Sequence, residues 1–180
     1  MNETLDVLFV GGGNMARALI AGLVAGGMPP ARIGAVEPDA ARGADLARDF
    51  GVQVQPDAAP LVGHAATVVL AVKPQVLPGV ARALGPLLAR PAPLVISIAA
   101  GVRAGALARW LGSAGPLVRC MPNTPALVRA GITALYAGPD VDDTQRAAAQ
   151  RILAAVGETV WVDDEAALDA VTAVSGSGPA

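Results

Sequence analysis

Short apolar runs alternate with longer, alanine-rich stretches along most of the chain. Apolar runs of roughly 4–8 residues between turn residues are typical of buried strands, and longer amphipathic stretches are typical of helices. The pattern predicts strands at residues 5–10, 32–37, 52–54, 67–72, 93–98, 117–121, 132–136 and 159–162. It predicts helices at residues 15–25, 39–50, 144–156 and 165–174.

Two of the predicted strands are apolar along their whole length. Residues 67–72 read TVVLAV and residues 93–98 read PLVISI, with many β-branched side chains. Such continuous runs indicate strands that helices cover on both faces, as in parallel sheets. Together with the alternation of strands and helices, they predict an α/β fold built on a doubly wound, mainly parallel sheet.

The last residues predict the beginning of a second domain. After the predicted helix 165–174 the chain reads SGSGPA, a Gly-rich turn followed by a Pro suited to the first turn of a helix. We therefore expect one complete domain over residues 1–162. Residues 163–180 would be a junction helix and the first residues of a second domain that this chain lacks. The alternative is a natural frayed tail.

Composition excludes several classes of protein. The chain has 180 residues, a formal net charge of −2 and 3% aromatic residues, so nucleic-acid binding has little support. Its longest nearly apolar stretches, such as residues 92–102, are too short to span a bilayer. The first residues, MNETLD, lack the basic segment of a secretory signal. We therefore expect a cytoplasmic protein with no nucleic-acid or membrane partner.

One cysteine and one histidine limit metal and thiol chemistry. Cys120 has no second cysteine to pair with, and His64 has no second histidine for a metal cluster, so we predict no metal site. A Cys–His nucleophile is disfavoured because Cys120 falls inside a predicted strand, whereas His64 precedes another at the opposite sheet edge. A buried thiol and a structural histidine are the favoured interpretation.

A glycine-rich motif follows the first predicted strand and opens the first helix. Positions 11–16 read GGGNMA, which fits G-x-G-x-x-A in the context that a dinucleotide fingerprint requires, and the fold is then of the Rossmann type. Gly11 would permit a tight turn, Gly13 would let a pyrophosphate approach the backbone, and Ala16 would allow close helix–strand packing. An ordinary Gly-rich turn is the alternative. The predicted cofactor-binding residues are Gly11, Gly12, Gly13, Asn14 and Met15.

An acidic residue ends the second predicted strand. Glu37 stands 24 residues after Gly13, where an acid usually accepts hydrogen bonds from the adenosine ribose and favours NAD. Arg42 is close enough in sequence to compensate for the phosphate of NADP. A solvated strand-end acid is the alternative, so Glu37 is predicted to bind cofactor while the choice between NADH and NADPH stays open.

A lysine follows the strand 67–72, at the edge where open α/β sheets bind ligands. Lys73 is the only lysine in the chain, and its charge suits a ribose, a phosphate or an anionic substrate. A solvent-exposed loop lysine is the alternative. Small residues after the strand 93–98 leave room there for a flat ring. The cofactor-binding residues predicted in these two loops are Ala71, Val72, Lys73, Pro74, Ser97, Ile98 and Ala99.

A polar residue follows the strand 117–121. The segment reads MPNTPA, and one interpretation is structural, with Thr124 as N-cap and Pro125 as first residue of a helix. The other is that Asn123 presents its amide to the ligand crevice. The chain has three asparagines, and two of them, Asn14 and Asn123, fall in candidate site loops. Asn123 is therefore also predicted to bind cofactor.

The segments FVGGGNMARALIAGL, VVLAVKPQ, VISIAAGV, RCMPNTPALVRAG and VSGSGPA occur in this order and spacing. Together they resemble pyrroline-5-carboxylate reductase over essentially the whole chain. The resemblance implies an N-terminal Rossmann domain and a C-terminal helical domain that dimerises, so a homo-oligomer is expected for the full-length protein. Glu37 departs from the pattern of NADP-preferring relatives.

The resemblance also implies a reaction. A hydride from NADPH or NADH would reduce the C=N bond of 1-pyrroline-5-carboxylate to give L-proline. A nearby acid would stabilise a protonated imine, and Asp164 and Glu165 are the substrate-side candidates by position; a solvated acidic turn is the alternative. The competing hypotheses are a module that binds or senses NAD(P)H without turnover, and a different imine or hydroxyacid oxidoreductase on the same fold.

Overall fold

The computed structural model describes residues 4–88, 91–112 and 115–173. Within them, eight strands form one sheet. The strands are β1 (Leu5–Val10), β2 (Ile33–Val36), β3 (Gln53–Gln55), β4 (Ala65–Leu70), β5 (Leu94–Ser97), β6 (Leu117–Pro122), β7 (Gly131–Ala137) and β8 (Gly157–Trp161). The helices are α1 (Asn14–Ala25), α2 (Ala40–Phe50), α3 (Ala59–Val62), α4 (Leu77–Leu84), α5 (Ala104–Leu111), α6 (Asp143–Leu153) and α7 (Ala167–Val171).

The order of strands in the sheet is β3-β2-β1-β4-β5-β6-β7-β8. Every neighbouring pair is parallel except β6 and β7, which are antiparallel. The chain moves outward in one direction from β1 to β3 and returns to start β4 on the other side of β1. This reversal creates the crevice where doubly wound sheets bind ligands, and the predicted fold class is confirmed.

Helices cover both faces of the sheet. One hydrophobic core lies between the sheet and α1, α2 and α6, and the second lies against α3, α4 and α5. The central strand β4 is buried on both faces, with Val68, Val69 and Leu70 fully inaccessible. The sequence predicted this arrangement because residues 67–72 form a nearly continuous apolar run, which is typical of a strand covered on both faces.

The predicted strands and helices differ from the observed ones at their ends, and three short helices, α3, α4 and α5, were not predicted. Residues 154–156 form a 3₁₀ helix after α6, so the helix predicted at 144–156 is one α-helix plus a tighter last turn. The helix predicted at 165–174 is observed as the shorter α7. Residue 174 and the SGSGPA segment lie outside the described residues. Within the described residues, no helix is long and apolar enough to cross a membrane.

Candidate functional site

The carboxyl ends of β1, β2, β4, β5 and β6 lie at one edge of the sheet because these strands are parallel. The loops that follow them carry almost all of the predicted site residues. The glycine-rich loop follows β1, Glu37 follows β2, Lys73 follows β4, and Asn123 follows β6. The structure therefore brings the predicted cofactor loops to a common edge, as expected at the switch point of such a sheet.

Gly11 makes the turn out of β1. Its φ of +104° belongs to the region that favours glycine. A Cβ at this position would lie 2.6 Å from the carbonyl oxygen of Ala71, at the end of β4. The turn therefore needs glycine for two reasons, its backbone conformation and its close contact with the neighbouring loop.

Gly13 has the opposite surroundings. A Cβ at this position would meet no described atom within 4 Å, and the residue is the N-cap of α1 with an ordinary φ of −68°. No described side chain accepts a hydrogen bond from the first turn of α1. Asn14 is exposed and Met15 is half-buried beside it. This open helix N-terminus, with its unused N–H groups and positive potential, fits a pyrophosphate.

Glu37 is buried beneath the glycine-rich loop, with only 5% of its surface exposed. Its Oε2 accepts a hydrogen bond from the Gly12 amide at 3.0 Å. Its Oε1 accepts one from the Asp39 amide at 2.9 Å and lies 3.2 Å from the Arg42 guanidinium. The carboxylate thus holds the glycine-rich loop in place, while the side chain of Arg42 stays 60% exposed to solvent.

A cavity of about 680 Å³ opens beside this loop. Its walls are largely apolar and come from the ends of β1 and β2, the loops after β3 and β4, and α4. Val10, Val36 and Val72 line it together with Pro38 and Val76. Its size and lining match sites for flat, mostly apolar groups such as a purine base.

Lys73 extends from the loop after β4. The residue is exposed, and within residues 4–88, 91–112 and 115–173 no ion pair involves it. The carbonyl of Lys73 accepts hydrogen bonds from the amides of Val76 and Leu77, which fixes the loop backbone. The ammonium group is therefore carried by an ordered loop at the ligand edge.

The loop after β5 begins with buried small residues. Ser97 is 1% exposed, and its hydroxyl accepts a hydrogen bond from the Ala99 amide at 3.4 Å. The Ile98 amide donates to the Leu70 carbonyl at 3.2 Å, so this loop is attached to the end of β4. The Ser97 hydroxyl thus supports the loop backbone, and its contact with a cofactor stays a prediction.

Asn123 stabilises the chain reversal between β6 and β7. Its Oδ1 accepts a hydrogen bond from the Ile132 amide at 3.0 Å. Asn123 occupies the N-cap position of a 3₁₀ helix, Thr124–Val128, without capping it by its side chain. The prediction of Thr124 as N-cap is therefore wrong by one residue, because the backbone is still extended at Asn123.

The two acidic candidates near the end of the chain have different surroundings. Asp164 is exposed, and its carboxylate accepts a hydrogen bond from the Ala166 amide, as in a local turn. Glu165 is 20% exposed and forms an ion pair with Arg119 of β6 at 2.6 Å. Their assignment to substrate stays a prediction. Arg119 went unnoticed in the sequence, although a charge inside an apolar strand signals a buried partner.

Cys120 and His64 are not brought together. Cys120 is buried in β6, where burial strongly raises the pKa of its thiol, and its Sγ donates to the Ser97 carbonyl. His64 immediately precedes β4 and so lies at the opposite edge of the sheet from the glycine-rich loop. No group of metal-binding side chains occurs among the described residues.

Comparison with known families adds the identity of the fold. A sequence model of the family described as "NADP oxidoreductase coenzyme F420-dependent" matches residues 6–101, which is more than half of the chain. The chain belongs to this NADP oxidoreductase family. The matched region of the NADP oxidoreductase family begins in β1 and ends in the loop after β5. It contains the glycine-rich loop, Glu37 and Lys73, but neither Asn123 nor the ion pair of Arg119 with Glu165.

Individual relatives extend the similarity beyond that region. The chain is 51% identical over 178 residues to the pyrroline-5-carboxylate reductase of Pseudomonas aeruginosa, covering 99% of this chain and 65% of the relative. A solved pyrroline-5-carboxylate reductase from Coxiella burnetii aligns with a TM-score of 0.94 and 41% identity over 98% of this chain and 66% of that one.

A third relative was solved with a ligand. The Plasmodium falciparum pyrroline carboxylate reductase, described with NADP bound, aligns with a TM-score of 0.84 and 27% identity over 99% of this chain and 65% of that one. The resemblance seen in the sequence is thus confirmed for this member of the NADP oxidoreductase family. The chain spans about 65% of the length of the curated relatives it matches.

Proposed function

We propose that this chain forms the dinucleotide-binding part of a pyrroline-5-carboxylate reductase. It would bind NADPH or NADH and present the cofactor for reduction of the C=N bond of 1-pyrroline-5-carboxylate to L-proline. The observation that carries the proposal is the open cradle at Gly13, found in a chain that shares 51% of its residues with a reductase of that name.

The residues present fit a dinucleotide. The first-turn amides of α1 suit the pyrophosphate because they are unused and carry the positive end of the helix dipole. The apolar cavity next to them suits the adenine, and the exposed guanidinium of Arg42, in the first turn of α2, suits a ribose phosphate. When bound, the reduced nicotinamide supplies the hydride. The chain's own task is to hold that ring in position and to keep water from it.

The division of the chain is also part of this proposal. Residues 1–162 would be the cofactor domain, because the eight strands end at Trp161. Residues 163–180 would be the junction to a helical dimerisation domain, and the whole protein would be a cytoplasmic homo-oligomer. The resemblance to pyrroline-5-carboxylate reductases supports these proposals.

Two measurements test the function. Calorimetric titration of the chain with NADPH and NADH tests cofactor binding. Turnover is tested by joining this chain to the part of the Pseudomonas aeruginosa reductase that follows the aligned residues, and following nicotinamide oxidation with 1-pyrroline-5-carboxylate. We expect binding by the chain alone and turnover by the joined protein. Binding without turnover would favour the non-catalytic NAD(P)H-binding module, and absence of binding would contradict both.

A further inference from the structure

A buried charge links the end of the described chain to the sheet. Arg119 lies in β6 with 5% of its side chain exposed, among strands and helices that are otherwise apolar. A buried guanidinium is tolerated only with a well-placed anion. The anion here is Glu165, 46 residues later in the sequence, whose Oε1 lies 2.6 Å from Nη1 of Arg119.

The same carboxylate oxygen caps a helix. Glu165 Oε1 also accepts a hydrogen bond at 2.6 Å from the amide of Ala104, the first residue of α5. Arg103, at the N-cap of α5, provides no side-chain cap of its own. Glu165 therefore does from a distant segment what an N-cap side chain usually does, and its charge favours the positive end of the helix.

The capped helix end is also the end of a site loop. Residues 98–103 connect β5 to α5 at the ligand edge of the sheet. The near end of the loop is held by the Ile98 amide on β4, and its far end is held at Ala104 by Glu165. Ser97 and Arg119 are paired in register between β5 and β6, so the ion pair lies directly beside the start of this loop.

Loop 98–103 and the apolar cavity serve different parts of an extended ligand. The cavity is formed around β1, β2, the loops after β3 and β4, and α4, and none of its lining residues belongs to loop 98–103. A dinucleotide that lies across the crevice from this cavity reaches the loops after β4, β5 and β6 with its other half. The loop after β4 therefore borders both halves, because Val72 and Val76 line the cavity, whereas loop 98–103 serves the nicotinamide half alone.

We propose that Glu165, held by Arg119, is a positioning residue that fixes loop 98–103 for the nicotinamide half of the dinucleotide. The inference rests on the proposed function, because it assumes that a dinucleotide binds across this edge. It gives Glu165 a task that does not require contact with the substrate: the carboxylate acts through α5 and the loop that precedes it.

The test compares two ligands that share one half. NADPH contains both halves, whereas adenosine 2′,5′-bisphosphate contains only the adenosine half with its phosphates. Calorimetric titration of Glu165→Ala should show NADPH affinity lowered about tenfold, the effect of losing a hydrogen bond to a charged group. Affinity for adenosine 2′,5′-bisphosphate should stay unchanged. Glu165→Gln, which keeps the side-chain volume, is the second variant if Glu165→Ala does not fold.

Asp169→Asn is the matched control. Asp169 also links α7 to α5, through Arg103 at 2.6 Å, but both side chains are about half exposed. Such surface pairs contribute little, so this variant should bind both ligands as the unmodified chain does. A folded Glu165 variant that binds NADPH normally, or that loses both ligands equally, would overturn the inference. If the unmodified chain binds neither ligand, it is the proposed function that fails.

Discussion

The glycines after β1 lie next to each other in sequence but have different surroundings. Gly11 is confined by the Ala71 carbonyl, and Gly12 is confined by Glu37 and Leu46. Gly13 has no described atom within 4 Å of a hypothetical Cβ. Packing therefore explains the first two glycines without any ligand, whereas Gly13 leaves open space at the start of α1, where the proposed function needs room for a pyrophosphate.

Replacing Gly13 separates folding from binding. Gly13→Ser should leave the melting temperature equal or slightly higher, because serine is at least as good an N-cap as glycine and the space is open. The same hydroxyl would occupy the N–H groups that a pyrophosphate needs, so NADPH affinity should fall at least about tenfold. Thermal unfolding and calorimetric titration measure the two effects.

Gly63→Ser is the control for this change. Gly63 also has an ordinary φ and open space around it, but it lies beside His64 at the opposite sheet edge. It should alter neither quantity. Unchanged NADPH affinity in a folded Gly13→Ser variant would show that the pyrophosphate does not bind at the start of α1.

The carboxylate of Glu37 has two roles. It accepts hydrogen bonds from the backbone of the glycine-rich loop, and it pairs with Arg42, which is proposed to contact the cofactor. Glu37→Ser should shift the ratio of NADPH to NADH affinity toward NADPH, because Arg42 keeps only Asp39 as an anionic partner and a charge that would repel the 2′-phosphate is removed. It should also lower the free energy of unfolding by about 1–3 kcal/mol, since two amides lose their acceptor.

Glu37→Gln distinguishes charge from hydrogen bonding. It keeps the size and one acceptor oxygen, so it should shift the cofactor ratio in the same direction with a smaller loss of stability. Titration with both cofactors and urea unfolding measure the two quantities. An unaltered affinity ratio in both variants would mean that Glu37 only supports the glycine-rich loop.

Sequence patterns located candidate site residues best where a residue follows directly on a recognisable strand. The glycine-rich turn after β1 and Lys73 after β4 were both predicted to lie at the ligand edge, and the structure has them there. Arg119 was missed because its partner Glu165 comes 46 residues later, and only the folded chain shows that the two meet. The second use of Glu37, beneath Gly12, was invisible for the same reason.

At the scale of elements, the proposed pyrophosphate site requires a fixed position for α1, because the first turn of this helix forms that site. Its middle packs against the 3₁₀ helix 154–156, where a Cβ on Gly22 would lie 2.2 Å from the Ala155 carbonyl. Gly22→Ala should therefore lower the free energy of unfolding by about 1–3 kcal/mol through overpacking. Urea unfolding of the purified chain measures this loss.

A glycine-to-alanine substitution in α4 should change the free energy of unfolding in the opposite direction. Gly79 lies inside that helix, and a Cβ there would meet no described atom within 4 Å. Gly79→Ala should raise the free energy of unfolding by about 0.5–1 kcal/mol, because alanine is the better helix former. If both substitutions raised the free energy of unfolding, helix propensity rather than the packing of α1 would decide the two results.

Helices were harder to delimit from the sequence than strands. The helices α4 and α5 have eight residues each, and α4 contains a proline and a glycine, so their patterns are too short and too irregular to give bounds. The central strands β1, β4 and β5 lie between two helical layers, and this double burial imposes nearly uninterrupted apolar runs. The strength of the pattern thus follows the depth of burial.

At the scale of the whole molecule, the reversal of β7 decides where the last segments lie. Because β7 is antiparallel to β6 and β8 is parallel to β7, the chain leaves β8 at Trp161, which pairs with Leu135 opposite Cys120. Arg119 is the next residue along β6, so Glu165 reaches it from four residues beyond the end of β8. The alternation of strands and helices predicted a parallel sheet and could not predict this reversal. It depends on the short connection between β6 and β7, which permits an antiparallel pair.

The single cysteine reports on the stability of the whole sheet. Cys120 lies in β6 between β5 and β7, 3% exposed, and burial raises the pKa of its thiol. A disulfide reagent should therefore react with it only when the sheet opens, at a rate that follows the open population. Saturating NADPH at about 100 times its Kd should slow the reaction about a hundredfold, because binding adds about 2.7 kcal/mol to the native state.

Absorbance of the released thiolate measures this reaction, and the urea-unfolded chain is the control, since its labelling rate should not depend on NADPH. Adenosine 2′,5′-bisphosphate at the same multiple of its own Kd should slow labelling equally, because protection depends only on binding to the native state. Labelling in native buffer as fast as in urea would show that β6 opens without the rest of the sheet. The loops after β5 and β6 would then be carried by parts of the sheet that open independently.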